Sequence, residues 1–251
     1  MKYKTELHCH SRTVSICANI SPAEIVEMYL ACGYHTVMLT EHLSEANFHA
    51  EGKYKTGLSA SGYPGERYMG SEDWQEKVGF YMSGIEALRK AAAGSGLNVL
   101  FGCEIRVTAG PSDYLLYGAT EEFFRSYPDL LHTDIKTLSA RVHEAGCLFY
   151  QAHPFRNNMT ITPPKYLDGI EVYNSHPRHD SRNDIAEMWA KRHDLRALSG
   201  SDTHNPGVLP GGGILTDAPI ATVDDLMTVL RANDYTLVRE GTPGAAARDR
   251  D

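Results

Sequence analysis

Along this chain, short apolar runs of strand length alternate with longer stretches whose apolar residues recur at helical spacing. YKTELHCH, HTVMLTEH, NVLFGCEIRV, DYLLYGA, CLFYQAHP, DGIEVYN, LRALSGSDTH, GGGILTD and YTLVRE read as strands. Between them SPAEIVEMYLACG reads as a helix, with Ser21 as N-cap, Pro22 at the first helical position and Glu24 completing a capping box. Further helices are expected from Trp74 to Ala93, near Glu121–Arg125, from Asp134 to Ala145, in RNDIAEMWAKRH and in TVDDLMTVLRAN. A polar Gly/Tyr/Ser-rich loop from Leu43 to Gly70, carrying Phe48, Tyr54, Tyr63 and Tyr68, is long enough to be a functional lid that sets specificity. The alternation implies parallel pairing, in a wound sheet or a barrel, with function at the carboxyl ends of the strands.

Composition narrows this picture without redirecting it. The 251 residues suit one large domain, and 42% apolar with 22% charged residues is ordinary for a globular protein. No internal repeat or linker divides the chain, so residues 1–243 are expected to form one domain and 244–251 a frayed tail. No apolar run approaches a membrane span, and MKYKTELHCH lacks a secretory core. Five scattered cysteines argue against a disulfide framework and for a reducing cytoplasm. A net charge of −8 argues against general affinity for a nucleic-acid backbone.

Chemistry gathers where the strands end. His8 and His10 close the first strand and His42 the second; Glu104 lies in the third and Asp113 opens the fourth. His153 follows in QAHP, Glu171 and Asn174 in DGIEVYN, Asp202 and His204 in GSDTH. Side chains alternate along a strand, so His8 and His10 share a face, as do Asp202 and His204. One HxH pair is usually a surface accident. Repeated placement at strand ends makes a metal site the better reading, and imidazole with carboxylate suits zinc, manganese or iron. Cys103 and Cys147 read as buried filler, and His35, His49, His132, His143 and His193 as surface or cap residues.

Taken in order, ELHCHS, LTEH, GCEIRV, QAHPFR and SGSDTH resemble the PHP (polymerase and histidinol phosphatase) family over nearly the whole chain. The resemblance implies a distorted (β/α)7 barrel holding two or three divalent ions at its strand ends. His8, His10, His42, Glu104, Asp113, His153, Asp202 and His204 would be the metal ligands, with Glu104 bridging two ions. The implied activity is hydrolysis of a small phosphate ester, histidinol-phosphate-like or nucleotide-like, by a metal-activated water. His42 or His204 could protonate the leaving oxygen. Arg156 in HPFR is the candidate phosphate fork, with Arg178, His179 and Asn174 as further substrate contacts. Arg106, on Glu104's face, is expected to support that carboxylate or touch phosphate.

Three positions depart from the family pattern. Glu41 stands before His42 where aspartate is usual, and alternation turns it away from the metals into a supporting role. SRTVSICANIS lacks the usual extra ligand after HxH and offers Ser15 and Cys17; Cys17 is read first as a small residue packed in a loop, with a soft substitute ligand as the alternative. Asp113 replaces a common histidine. The expectation is therefore two tight ions and a weaker third. Rival readings are a hydrolase of another bond such as an amide, a nuclease on DNA ends, and a metal-binding module without catalysis.

Overall fold

The computed structural model describes residues 2–48 and 72–240. From the amino end it runs β1 (Tyr3–Cys9), α1 (Pro22–Ala31), β2 (Tyr34–Leu39), β3 (His42–Leu43), α2 (Glu45–Phe48), α3 (Trp74–Ala92) and β4 (Asn98–Ile105). It continues through β5 (Tyr114–Tyr117), α4 (Glu121–Ser126), α5 (Ile135–Glu144), β6 (Leu148–Gln151), β7 (Gly169–Asn174) and α6 (Asn183–His193). The last elements are β8 (Arg196–Gly200), β9 (Ile214–Thr216), α7 (Val223–Ala232) and β10 (Thr236–Leu237).

The strands form one sheet in the order β10-β9-β1-β2-β4-β5-β6-β7-β8, with β3 paired to β4. It curls into a nearly closed barrel. Beyond β8, the Asp202 N–H donates to His8 O at 2.8 Å and the His10 N–H donates to Thr203 O at 3.0 Å, joining the segment after β8 to β1. The pairing is not uniformly parallel, as the alternation had implied: β5 runs antiparallel to both β4 and β6. The cause is the short β4–β5 connection, which contains no helix to carry the chain back across the sheet.

Two apolar clusters alternate along the strands as the pleat requires. Met38, Leu100, Leu115, Tyr117, Leu148 and Tyr150 face the barrel interior, where Leu226, Met227 and Leu230 of α7 join them. Val37, Leu39, Val99, Phe101, Cys103, Leu116 and Phe149 face outward beneath Ile25 and Tyr29 of α1, Val78 and Tyr81 of α3, and Leu138 and Val142 of α5. Glu104, four residues beyond Leu100, therefore points inward with it.

The helix ends follow the sequence signals. Ser21 and Glu24 form the capping box, and Asp73, Asp134 and Thr222 cap α3, α5 and α7. The expected loop from Leu43 resolves into β3 and α2 as far as Phe48; residues 49–71, with Tyr54, Tyr63 and Tyr68, lie outside the described residues. Phe48 is buried against Trp74 and Phe80, so it serves packing and not a ligand. The expected tail from 244 also lies outside the described residues.

Candidate metal centre

At the carboxyl ends of the strands, eight chemistry-bearing side chains meet. His8 and His10 come from the end of β1, His42 from β3, Glu104 from β4, Asp113 from the turn before β5, His153 from the turn after β6, and Asp202 and His204 from the segment after β8. His8, His10, Glu104, Asp113, His153 and Asp202 are at most 2% exposed. Glycine makes this proximity possible: a Cβ at Gly200 would stand 2.3 Å from Glu171 Oε1 and 2.5 Å from the His8 Cβ. Gly212 lies against Gly200 in turn, with room for a Cβ only 2.0 Å from its carbonyl carbon.

The two oxygens of Glu104 face different partners. Oε1 lies 3.3 Å from His8 Nε2 and 3.1 Å from His153 Nε2, while Oε2 lies 3.3 Å from His10 Nε2 and 2.8 Å from His42 Nδ1. Asp202 Oδ1 approaches His8 Nε2 at 3.4 Å, His10 Nε2 at 3.5 Å and His204 Nδ1 at 3.2 Å. Among the described residues four sets have ligand atoms within 4.8 Å of one another: His8/His10/Glu104, His8/His153/Asp202, Glu104/Asp113/His153 and His10/His42/His204.

The protonation pattern aims lone pairs inward. His8 Nδ1 donates to Glu171 Oε1 at 2.9 Å, which leaves Nε2 as the ligand atom. Ser15 donates its hydroxyl to Glu41 Oε2 at 2.5 Å, so its oxygen accepts from His10 Nδ1 at 3.2 Å and His10 Nε2 is likewise left to face the cluster. Buried His8 Nε2, His10 Nε2 and Glu104 Oε2 make no hydrogen bond of acceptable geometry. Buried polar atoms without partners are costly, and a divalent ion with N/O preference satisfies all three. The residues fit metal ions.

Electrostatics agree. Burial alone would raise the carboxyl pKa of Glu104, yet the imidazoles of His42 and His8 hold it well below the usual range. Asp202 is likewise raised by burial but pulled well below by His8 and His204. In the reverse sense, burial would lower His8, and Asp202, Glu171 and Glu104 drive it well above the ordinary value. His42 is raised despite burial by Cys17 and Glu104, and His204 to about 10 by Cys17 and Asp202. Two residues of the cluster also sit in the left-handed backbone region: His153 at φ 27° and Asp202 at φ 53°. Such conformations cost about 1–3 kcal/mol each for non-glycine residues and persist where surrounding structure fixes them. The Glu171 carboxylate does so for His153, accepting its backbone N–H at 2.9 Å.

Several supporting roles differ from expectation. The Arg106 guanidinium grips Asp113 with two bonds of 2.6 Å. Asn174 is buried and does not line the cavity: its amide donates to Glu171 Oε2 at 3.0 Å and Asp202 Oδ2 at 3.2 Å, fixing carboxylates. Its side chain thus lies beneath the candidate metal ligands. Glu41 is buried and bonded to Ser11, Ser15 and their backbone N–H groups, the supporting role read from its place beside His42. His42 itself belongs to the short β3 and not to the end of β2. Cys17 is not packed away: the residue as a whole is exposed, while its thiol is turned in against His42 and His204, whose imidazoles outweigh desolvation of the sulfur and lower its pKa well below the ordinary value. Reasoning from sequence missed His176, which stacks on His179 with ring centroids 4.5 Å apart and meets His204 at 5.5 Å. Burial lowers its pKa to about 4, and His179 is lowered for the same reason.

A cavity of about 350 Å³ opens over the cluster, lined by His42, Asp113, His153, Asp202 and His204 and by Arg106, Arg156, Arg178, His176 and His179. Arg156 Nη2 lies 3.4 Å from Asp113 Oδ2 and Nη1 lies 3.8 Å from Asp202 Oδ2, so its guanidinium stands beside the ligands. A second cavity of about 420 Å³ shares Arg106, Arg156, Arg178 and His179 with the first.

A family model for the PHP domain matches residues 6–222, the stretch holding every residue of the cluster. The chain belongs to the PHP family. Among solved structures, a two-domain protein containing a predicted PHP-like metal-dependent phosphoesterase from Bacteroides vulgatus superposes with a TM-score of 0.62 at 17% identity. The alignment covers 96% of this chain and 65% of that one. A lesion-specific endonuclease from Pyrococcus furiosus gives 0.58 at 15% identity, covering 94% of this chain and 58% of that one. In sequence, 82 residues are 37% identical to a 5′-3′ exoribonuclease of Haemophilus influenzae, covering 29% of this chain and 30% of that protein. The structural likenesses establish the PHP barrel fold, and the family is one of metal-dependent phosphoesterases and related hydrolases. No helix among the described residues is long and apolar enough to cross a membrane.

Proposed function

We propose that this PHP protein hydrolyses a small phosphate ester, using divalent ions held by His8, His10, Glu104, Asp113, His153 and Asp202, with His42 and His204 toward the cavity. The observation that carries this reading is the convergence of Arg106, Arg156 and Arg178 on a cavity whose floor is the ligand cluster. A phosphoryl dianion needs that much positive charge and an amide does not. A cavity of about 350 Å³ suits a substrate of small-molecule size.

When bound, the divalent ions supply Lewis acidity, neutralising phosphoryl charge and lowering the pKa of water. The chain's own residues do the rest. Glu171 and Ser15 fix the His8 and His10 rings, and Arg106 holds Asp113 in place. Arg156, beside Asp113 and Asp202, is positioned to fork phosphoryl oxygens. His42 and His204, hemmed by Glu104, Asp202 and Cys17, serve better as ligands than as free proton donors.

Cleavage at a nucleic-acid end is a second reading. It is favoured by the adjoining arginine-lined cavity, which would take a second phosphate of an extended chain. The local likeness to an exoribonuclease and the shared fold with a lesion-specific endonuclease lend it weight, and the net charge of −8 counts against a long nucleic-acid track. Steady-state assays on p-nitrophenyl phosphate, nucleoside monophosphates, bis-p-nitrophenyl phosphate, a 5′-phosphorylated oligonucleotide and p-nitroacetanilide separate the readings. The first reading requires monoester turnover to dominate. Preference for the oligonucleotide selects the second, and turnover of the anilide alone overturns both.

A further inference from the structure

Three of the four ligand sets contain a carboxylate; His10/His42/His204 contains none. The carboxylates next to it, Glu104 Oε2 at 2.8 Å from His42 Nδ1 and Asp202 Oδ1 at 3.2 Å from His204 Nδ1, also face the inner sets, so an ion held by these three imidazoles has room for a further anionic ligand of its own. His10 Nε2, fully buried and without a hydrogen bond, belongs to this set. Among the described residues, the side chain lining the cavity beside His42 and His204 that is both soft and capable of negative charge is Cys17.

The fold holds Cys17 in that position from both sides. On one side, the Ile16 N–H donates to Asn47 Oδ1 at 2.9 Å, and the Asn47 amide donates to the His42 carbonyl at 2.9 Å. On the other, the Asn19 and Ile20 N–H groups donate to the His204 carbonyl at 2.6 and 3.2 Å. Within the loop, the Ala18 N–H bonds Ser15 O at 3.0 Å and the Arg12 N–H bonds Ile20 O at 2.8 Å. The residue between these anchors is thus tied to the backbones of both histidines.

We infer that Cys17 is a thiolate ligand of the ion held by His42 and His204, making this outermost site a soft one that prefers zinc to manganese. Coordination forms a metal–sulfur bond and releases the thiol proton to solvent. The inner sets, built from imidazole and carboxylate, accept either metal. The inference rests on the metal-centre reading but not on the reaction, because its test reads stoichiometry and spectrum and not turnover.

Chelator-stripped protein is titrated with Co²⁺ while bound metal and the near-ultraviolet sulfur-to-cobalt charge-transfer band are followed. Three equivalents are expected, the band growing with the equivalent bound at the Cys17 site. Cys17→Ser should lose that equivalent and the band together. Cys17→Asp should recover the ion without the band. Manganese should fill two sites where zinc fills three. Three bound Co²⁺ ions with no band in the wild-type protein would overturn the inference, as would a band that survives in Cys17→Ser. Should Cys17→Ser fail to fold, the wild-type titration and Cys17→Asp decide alone.

Discussion

The inner and outer parts of the cluster are built differently. The inner candidate ligands His8, His10, Glu104, His153 and Asp202 are buried, and most are held by further side chains: Glu171 on His8 and His153, Ser15 and through it Glu41 on His10, Asn174 on Asp202. At the rim, His42, His204, Cys17, Arg156, Arg178 and His179 come from a two-residue strand and from loops, and several reach solvent. Metal ligands tolerate little positional error, so they sit where strands and buried carboxylates fix them. Groups that meet substrate, or that tune an additional ion, sit where loops vary at little cost to the fold.

Substitutions at the two levels should therefore differ in kind. The largest effect is expected for Glu104→Ala, whose oxygens face both halves of the cluster: metal content and hydrolysis should fall together, activity by at least about three orders of magnitude. Asp202→Ala should follow it. Metal analysis beside the kinetics checks both, and a Glu104→Ala protein with normal metal and turnover would erase the distinction. Glu171→Gln reaches the same centre at one remove, through His8. A loss of roughly 10–100-fold in metal affinity is expected with the folded signal retained, read by competition with a chromophoric chelator. At the rim, Arg156→Ala should raise KM for a phosphomonoester by about tenfold or more while metal content stays unchanged.

A smaller effect, in pH, separates the levels again. In stripped protein the folded His204 holds its proton to about pH 10, and His8 and His42 shift in the same direction. An unfolded histidine titrates near roughly 6.5. A folded pKa above the unfolded one gives stability that is complete below about pH 6.5 and lost as pH rises toward the folded value. Cys17, lowered below its ordinary value, works in the opposite sense and offsets one of the three histidines, so thermal melts of stripped protein should still decline from pH 6.5 toward 10. In metal-loaded protein, where ions have displaced those protons, the decline should be smaller, and metal should be released on acidification. Equal slopes in the two forms would contradict this.

The inner level was largely legible in the sequence, because strand alternation and strand-end placement are local signals. His8, His10, Glu104, His153 and Asp202 needed only a period of two and a family pattern. The bonds from Arg106 to Asp113 and from Asn174 to Asp202 were not legible, because they depend on how separate segments pack. Antiparallel β5 was missed since an eight-residue connection looks like any loop until the sheet is seen. His176 gave no signal beyond its place in NSHPRHD, two residues past a strand end. Cys17 was undervalued for a similar reason: nothing local shows that Asn47 and the His204 carbonyl hold its loop against two imidazoles.

The central claim is that the buried cluster binds metal and that bound metal hydrolyses phosphate esters. Purified protein is stripped with chelator, assayed on the phosphoester panel, then reloaded with zinc or manganese and assayed again at matched metal content. Turnover of a phosphomonoester should vanish on stripping and return in proportion to metal bound. Turnover that survives complete stripping, or fully loaded protein that cleaves no phosphoester, would contradict the account.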